Sequence, residues 1–374
     1  MPIHDKTENP STTSLWELVA SKEKLLRGKN LPFFLNGLFA EEGDRFGFDC
    51  NYTCAVDSVM ALVEAILMSK NYNEEEDTNI SNSVISEVKM ILQYRLENNY
   101  SWHHSLRNQL WSKLASQFPG SFKPLGRVDA HVEEPLQDIG KLWPIEVVCS
   151  PVCSCCEQIL GDFSCVFDYI PIISSPKRGP LLHKAYSLFE LVLYRIGSYV
   201  RGILQKKLRC FTCGGSAKLE TIPIEDIKLP SFVFLNLFLD DTKFINTFCD
   251  SCELEDNVKI GNYSLEFVSA ILAQNLHFCT ISKICGYYYK FDNMFQSNVA
   301  RAFSSFGEAY KNKAVIGVNN PFYLNHRSMS TKSGAVYFLV YKAQNQSSQS
   351  DYWRSKFNIT IFIQSKCITS VMKI

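Results

Sequence analysis

The sequence has no surplus of charge of either sign: 38 lysines and arginines meet 38 aspartates and glutamates. Nucleic acid and anionic membranes both call for basic patches, so neither is expected as the main partner. Nor is there an apolar run approaching the roughly 18 residues of a membrane-spanning helix. Runs of like charge are short, the longest being Glu74-Glu75-Glu76-Asp77, most simply a solvated loop. The opening MPIHDKTENPSTTS is too polar to be the apolar segment of a signal peptide. No internal repeat is present. With 46% apolar and 13% aromatic residues among 374, the chain is expected to fold as one large domain or two ordinary ones.

Cysteine is the residue in good supply, with fourteen copies. Disulfides of a secreted protein are one use for them. Several stand two residues apart and no targeting segment precedes them, which favours zinc in a reducing compartment. An intracellular location is therefore expected, and the Asn51-Tyr52-Thr53 and Asn262-Tyr263-Ser264 triplets are read as chance occurrences.

Periodicity divides the chain. Residues 1–13 read as a disordered lead-in. Apolar residues at helical spacing predict helices over 14–27, from the Cys54 turn to about Lys70, over 84–97 and over 103–117 (Leu106, Leu110, Leu114), with a short helical pattern running to Leu142. From Trp143 the pattern turns to strands at 145–148 and 166–172. A long helix follows over 183–205. Beyond Cys210 strands dominate: 232–239, 263–268, 277–281, 287–291 and 335–341. Residues 344–374 read as a linker and a β-rich tail without an assigned role. The expected class is α+β, an α-rich lobe followed by a β-rich lobe with a cysteine-bearing extension between them.

Three features carry chemistry. Cys54 sits where a polar turn, Asn51-Tyr52-Thr53, enters an apolar helical pattern. Unpaired N–H groups and the positive dipole end at a helix start favour a thiolate, so Cys54 is a candidate nucleophile; the bland alternative is a small buried residue. His277 opens a strand, and Asp292 follows the next strand after a turn at Gly286. Adjacent antiparallel strands can bring such positions into contact, as a Cys-His-Asp site needs. By spacing alone the pair is ordinary, since a His and an Asp near strand ends more often serve hydrogen bonding or solubility. Cys153-x-x-Cys156 and Cys210-x-x-Cys213 are two knuckles able to close a tetrahedral zinc site, against the alternative of buried reduced thiols. Cys149 and Cys155 stand near enough in sequence to replace one ligand, and Cys249-x-x-Cys252 is a third pair without an obvious partner.

Taken in order, several stretches resemble the ubiquitin-specific protease family of cysteine isopeptidases. Asn51-Tyr52-Thr53-Cys54-Ala55-Val56-Asp57-Ser58 is similar to that family's nucleophile box, and Asp129-Ala130-His131 to the start of its Asp-Ala-His-Glu-Phe box. The two knuckles flanking Ser164-Cys165-Val166-Phe167-Asp168 resemble its zinc-bearing fingers, and 229–237 its Leu-Pro strand. His277-Phe278-Cys279-Thr280-Ile281 resembles its histidine box, Gly286-Tyr287-Tyr288-Tyr289-Lys290-Phe291-Asp292-Asn293 its Trp-Tyr-x-Phe-Asp-Asp box, and 335–341 its closing strand.

The resemblance spans about 30–343 and implies a papain-like cysteine protease fold with an α-rich thumb, a β-rich palm and fingers over about 145–260, all within one catalytic domain over 14–343. It makes Cys54 the nucleophile, His277 the general base and Asp292 its orienting partner. Asp49, Asn51 and Asn293 take supporting places, and Cys153, Cys156, Cys210 and Cys213 hold structural zinc. Ubiquitin or a SUMO-like modifier and its conjugates are the implied partners. Two residues depart from the pattern. Asp49 stands where the family usually has an oxyanion-stabilising Asn. Either Asn51 and backbone N–H groups serve instead, or Asp49 is protonated, or catalysis is slow or absent. Asp57 stands where most members have Asn, as in the divergent SUMO-specific branch.

Overall fold

The structure is a computed structural model and describes residues 14–33, 53–69, 83–98, 100, 104–122, 130–167, 170–171, 188–219, 222, 227–236, 257–260, 263–274, 277–293, 299–312 and 335–345. The lead-in 1–13, Asp49, Asn51, the Cys249/Cys252 pair and the tail 346–374 lie outside the described residues. The chain divides into two units, one of residues 1–131 and 279–328, the other of 132–278 and 329–374. The division does not follow chain order, because strands from the last third return to the helices of the first.

In the first unit α1 (Leu15–Leu26) starts with a capping box: Ser14 Oγ accepts from the Glu17 N–H at 3.2 Å and the Glu17 carboxylate accepts from the Ser14 N–H at 3.0 Å. α2 (Cys54–Leu67) is buried on every side, including Asp57, Ser58 and Glu64. A helix without a wet face must be covered all round, and its polar groups must find partners inside. α3 (Ser83–Glu97) and α4 (His104–Gln117) cover part of it.

Arg95 of α3 donates to both Glu64 oxygens at 2.5 and 2.6 Å and to the Pro32 carbonyl at 3.2 Å; the Tyr100 hydroxyl adds a bond to Glu64 at 3.1 Å. On α4 the buried stripe is Arg107, Leu110, Trp111 and Leu114, while Leu106 is only half-buried. Leu110 and Leu114 thus lie on the expected face, and Arg107, paired inside with Asp57, takes the buried place expected of Leu106.

The other cover of α2 is antiparallel sheet. β11 (His277–Ile284) pairs with β12 (Tyr287–Phe291) from Thr280↔Phe291 to Ile284↔Tyr287, closed by a two-residue turn in which Cys285 (φ 50°) and Gly286 (φ 83°) both have positive φ. Such a turn matches the natural twist of a hairpin. β12 pairs with β13 (Val299–Phe303), and β13 with the two-residue β1 (Leu31–Pro32). Thr280 and Ser282 donate their hydroxyls to the carbonyls of Ser58 (3.2 Å) and Ala61 (3.3 Å) on α2. The short α7 (Phe306–Lys311) was not anticipated from periodicity; Ser305 caps it by accepting from the Glu308 N–H.

The second unit holds α5 (Glu133–Gly140) and α6 (Leu188–Lys207) with three sheets. β2 (Ile145–Cys149) lies between β4 (Phe163–Phe167) and β7 (Ile227–Lys228). β3 (Val152–Cys153) pairs with β6 (Ala217–Lys218). β14 (Ala335–Asn345) lies between β10 (Tyr263–Gln274) and β8 (Phe232–Asn236). β9 (Asn257–Ile260) extends that sheet beyond β10, and β5 (Ile170–Pro171) runs parallel to β8. Trp143 packs its ring on Phe232 and Phe234, at centroid separations of 5.0 and 5.7 Å.

Candidate active site and metal cluster

Cys54 is the first residue of α2 and is buried, at 7% exposure. Thr53 occupies the cap position but makes no side-chain cap to its own helix; its Oγ1 instead accepts from Asn293 Nδ2 at 3.1 Å. The same Nδ2 donates to Asp57 Oδ2 at 2.7 Å. Asp57, one turn along α2, in turn takes Arg107 Nη1 at 3.2 and 3.3 Å. All four side chains are buried. Burial pushes the Asp57 carboxyl up from its ordinary value, opposed by the Arg107 charge and by hydrogen bonds from Asn293 and Thr53. Burial likewise lowers Arg107, opposed by Asp57.

Asp292 directly follows β12 and is buried, with Asn293 next to it. The bonds of Asn293 therefore tie the end of the Asp292 strand to the start of the Cys54 helix. Cys279 lies on β11 and is buried. Its thiol is pushed up to about 12, by burial first, then by the negative charge of Asp292 and by Cys54, against Lys290. His277 opens β11, two residues before Cys279 and half-buried. Cys54, Asp292 and Asn293 thus come together in the first unit, His277 belongs by chain to the second, and Asp49 and Asn51 lie outside the described residues. Arg107 and Cys279 were missed by sequence reasoning. The only signal for Arg107 was its place three residues before Leu110 and seven before Leu114.

The knuckles converge. Cys153, Cys156, Cys210 and Cys213 place their sulfurs within 4.8 Å of one another, with Cys153–Cys213, Cys156–Cys213 and Cys156–Cys210 separations of 3.4, 3.6 and 3.7 Å. Four sulfurs about 2.3 Å from a tetrahedral zinc lie about 3.8 Å apart, so the set fits that ion. Local backbone turns hold it. The Cys153 N–H donates to the Gln158 carbonyl and its carbonyl accepts from the Glu157 N–H. The Cys210 N–H donates to the Gly215 carbonyl and its carbonyl accepts from the Gly214 N–H, and the Ser154 N–H donates to the Ser216 carbonyl to join the two knuckles.

Neither Cys149, buried in β2, nor Cys155, exposed on its turn, belongs to the set. Gly215 is required by close approach: a Cβ there would lie 2.8 Å from the Cys153 sulfur and 2.8 Å from that of Cys155. N–H groups of Cys156 and Cys155 bring Cys153 down to about 6, and those of Cys213 and Thr212 lower Cys210. At Cys213 the Gly215 N–H is outweighed by the neighbouring Cys153 and Cys156 sulfurs, which push it up to about 12. A bound zinc would hold all four as thiolates.

No protein-family model and no curated protein matches the sequence. Among solved structures the chain is similar to a SAGA Ubp8/Sgf11/Sus1/Sgf73 DUB module bound to ubiquitin aldehyde, at 12% identity and TM-score 0.46, over 83% of this chain and 70% of that one. It is also similar to a Ubp8-Sgf11-Sgf73-Sus1 SAGA DUB module, at 14% identity and TM-score 0.43, over 83% and 68%. A yeast SAGA DUB module gives 13% identity and TM-score 0.42, over 83% and 69%. Likeness of that degree decides neither family nor function, which rest on the chain's own residues.

Proposed function

We propose that this chain is a thiol-dependent isopeptidase that releases ubiquitin or a ubiquitin-like modifier from protein lysines. Cys54 is the nucleophile, His277 the general base and Asp292 the residue that orients it. The observation that carries this reading is a hydrogen bond: Asn293, next to Asp292, donates to Thr53 Oγ1, next to Cys54, at 3.1 Å. His277 opens the strand whose Thr280 and Ser282 hydroxyls bond to the nucleophile helix.

In the reaction the Cys54 thiolate attacks the carbonyl carbon of the modifier's C-terminus, and the carbonyl π electrons move to oxygen. Collapse of the tetrahedral species breaks the C–N bond, and protonated His277 gives its proton to the leaving lysine amine. Water, giving a proton to the same imidazole, then attacks the thioester; the acid departs and the thiolate returns. Asp292 serves by holding the imidazole in the productive tautomer, not by accepting a proton. Cys153, Cys156, Cys210 and Cys213 would hold a zinc ion of structural rather than catalytic use, in a reducing, intracellular setting.

The test uses ubiquitin and SUMO, each carrying a C-terminal propargylamide. Covalent capture by either, lost in Cys54→Ala, is the expected result. Capture by neither in folded, zinc-loaded protein ends the enzyme reading.

A second reading, a binding module of the same fold that recognises the modifier without cutting it, is favoured by Asp49. An ionised carboxylate beside a developing oxyanion opposes catalysis, where one missing donor already costs about 2.7–4 kcal/mol. Turnover that rises in Asp49→Asn marks a site still built for hydrolysis. Retained modifier binding with no turnover in either form marks the binding module.

A further inference from the structure

We propose that the buried Arg107–Asp57 pair is a positioning device: it fixes the Asn293 amide and, through it, holds the end of the Asp292 strand against the start of the nucleophile helix. This rests on the reading of Cys54 and Asp292 as members of the reacting set.

A carboxylate only accepts hydrogen bonds, so Asp57 obliges Asn293 to present its NH₂ group. Both Asn293 donor hydrogens are then committed, one to Asp57 Oδ2 at 2.7 Å and one to Thr53 Oγ1 at 3.1 Å. Reversing the amide would set oxygen against carboxylate. The forced orientation has a visible cost: Asn293 Oδ1 is buried and accepts no hydrogen bond among the described residues. A protonated acid or an asparagine at 57 could donate as well as accept, and the amide would lose its single orientation.

What keeps Asp57 an acceptor is Arg107, fifty residues away in sequence, whose Nη1 lies within 3.3 Å of both carboxylate oxygens. Asp57 stands three residues after Cys54, on the same side of α2. The chain of contacts therefore runs from α4 through the nucleophile helix to the residue beside Asp292, with every member buried.

The experiment uses the full zinc-loaded chain. In Asp57→Asn/Arg107→Gln both charges leave together, so no orphan charge remains. Asn293→Ala removes the amide, and Arg107→Lys keeps the cation. Capture by ubiquitin or SUMO propargylamide is resolved into binding constant, maximal rate and final labelled fraction. Alkylation of Cys54 by iodoacetamide is timed in parallel.

The double variant and Asn293→Ala should lose at least about tenfold in maximal rate, with the binding constant within about twofold and the labelled fraction complete; Arg107→Lys should keep most of the rate. A merely structural pair would lower the labelled fraction and leave the rate untouched, and that result overturns the proposal. Should the wild-type chain ignore both probes, the isopeptidase reading fails by itself, and iodoacetamide still decides the positioning role. Equal Cys54 alkylation rates in wild type and double variant refute it, and unequal rates uphold it.

Discussion

The core around α2 and the cysteine knuckles solve the same problem, placing polar atoms close together, by opposite means. Around α2 the pairs Glu64–Arg95 and Asp57–Arg107 are joined over 31 and 50 residues, and every member is at most 1% exposed. Their geometry exists only once α3 and α4 have packed. At the knuckles the sulfurs sit on turns that close over four or five residues, with Cys155, Cys156 and Cys213 exposed. There the backbone poses the four sulfurs locally, in an arrangement that fits a zinc ion. One region is thus held by long-range burial and the other by local turns built to accept an ion, and each should break in its own way.

The largest effect should come from taking the ion away. Structural zinc contributes about 10–16 kcal/mol in zinc-finger peptides, so chelation or Cys210→Ser should abolish a one-to-one zinc content. Amide-exchange protection should vanish across β3 and β6 while α2 stays protected. Protected knuckles in zinc-free protein would show that the turns suffice alone.

Next in size is the long-range pair. Arg95→Met strands the Glu64 carboxylate in the core and should cost about 3–5 kcal/mol in urea unfolding, whereas Glu64→Leu/Arg95→Met should recover most of that. A double variant as unstable as the single one would mean that the ion pair itself, and not the stranded charge, sets the cost.

The effect that is smallest per step of the variable scanned tests the buried thiol. Because the folded state holds the Cys279 proton up to about 12, against a usual value of 9.0, the unfolded chain binds fewer protons in that window. Stability should therefore fall with rising pH between those values, by about 1.4 kcal/mol per pH unit from this group, and Cys279→Ala should flatten that slope. An unchanged slope would mean that Cys279 titrates as an exposed thiol.

The same contrast explains what was legible in the sequence. Cys153, Cys156, Cys210 and Cys213 announced themselves by a two-residue spacing, because that spacing is the local turn. Only the rejection of Cys149 and Cys155 needed three dimensions. Helices α1 to α4 were legible from their apolar period, and the β11–β12 hairpin from its strands and Gly286. Arg95 and Arg107 gave no such sign: an arginine in a helix reads as a solvated face until its carboxylate partner is known. The two-residue β1 and the six-residue α7 were too short for any period to register. Convergence of Asp292 and Asn293 on the helix of Cys54 is a property of chain return over some 240 residues, which only the motif resemblance foreshadowed.

The burial of α2 on every side has a consequence for how the protein is made. Its Ser58 and Ala61 carbonyls find their partners on β11, 222 and 221 residues later. At synthesis rates of about 5–20 residues per second, the apolar helix leaves the ribosome roughly ten to forty seconds before its cover arrives. A nascent chain halted before that strand would leave the part of this apolar helix around Ser58 and Ala61 open to whatever binds sticky, unfinished polypeptides.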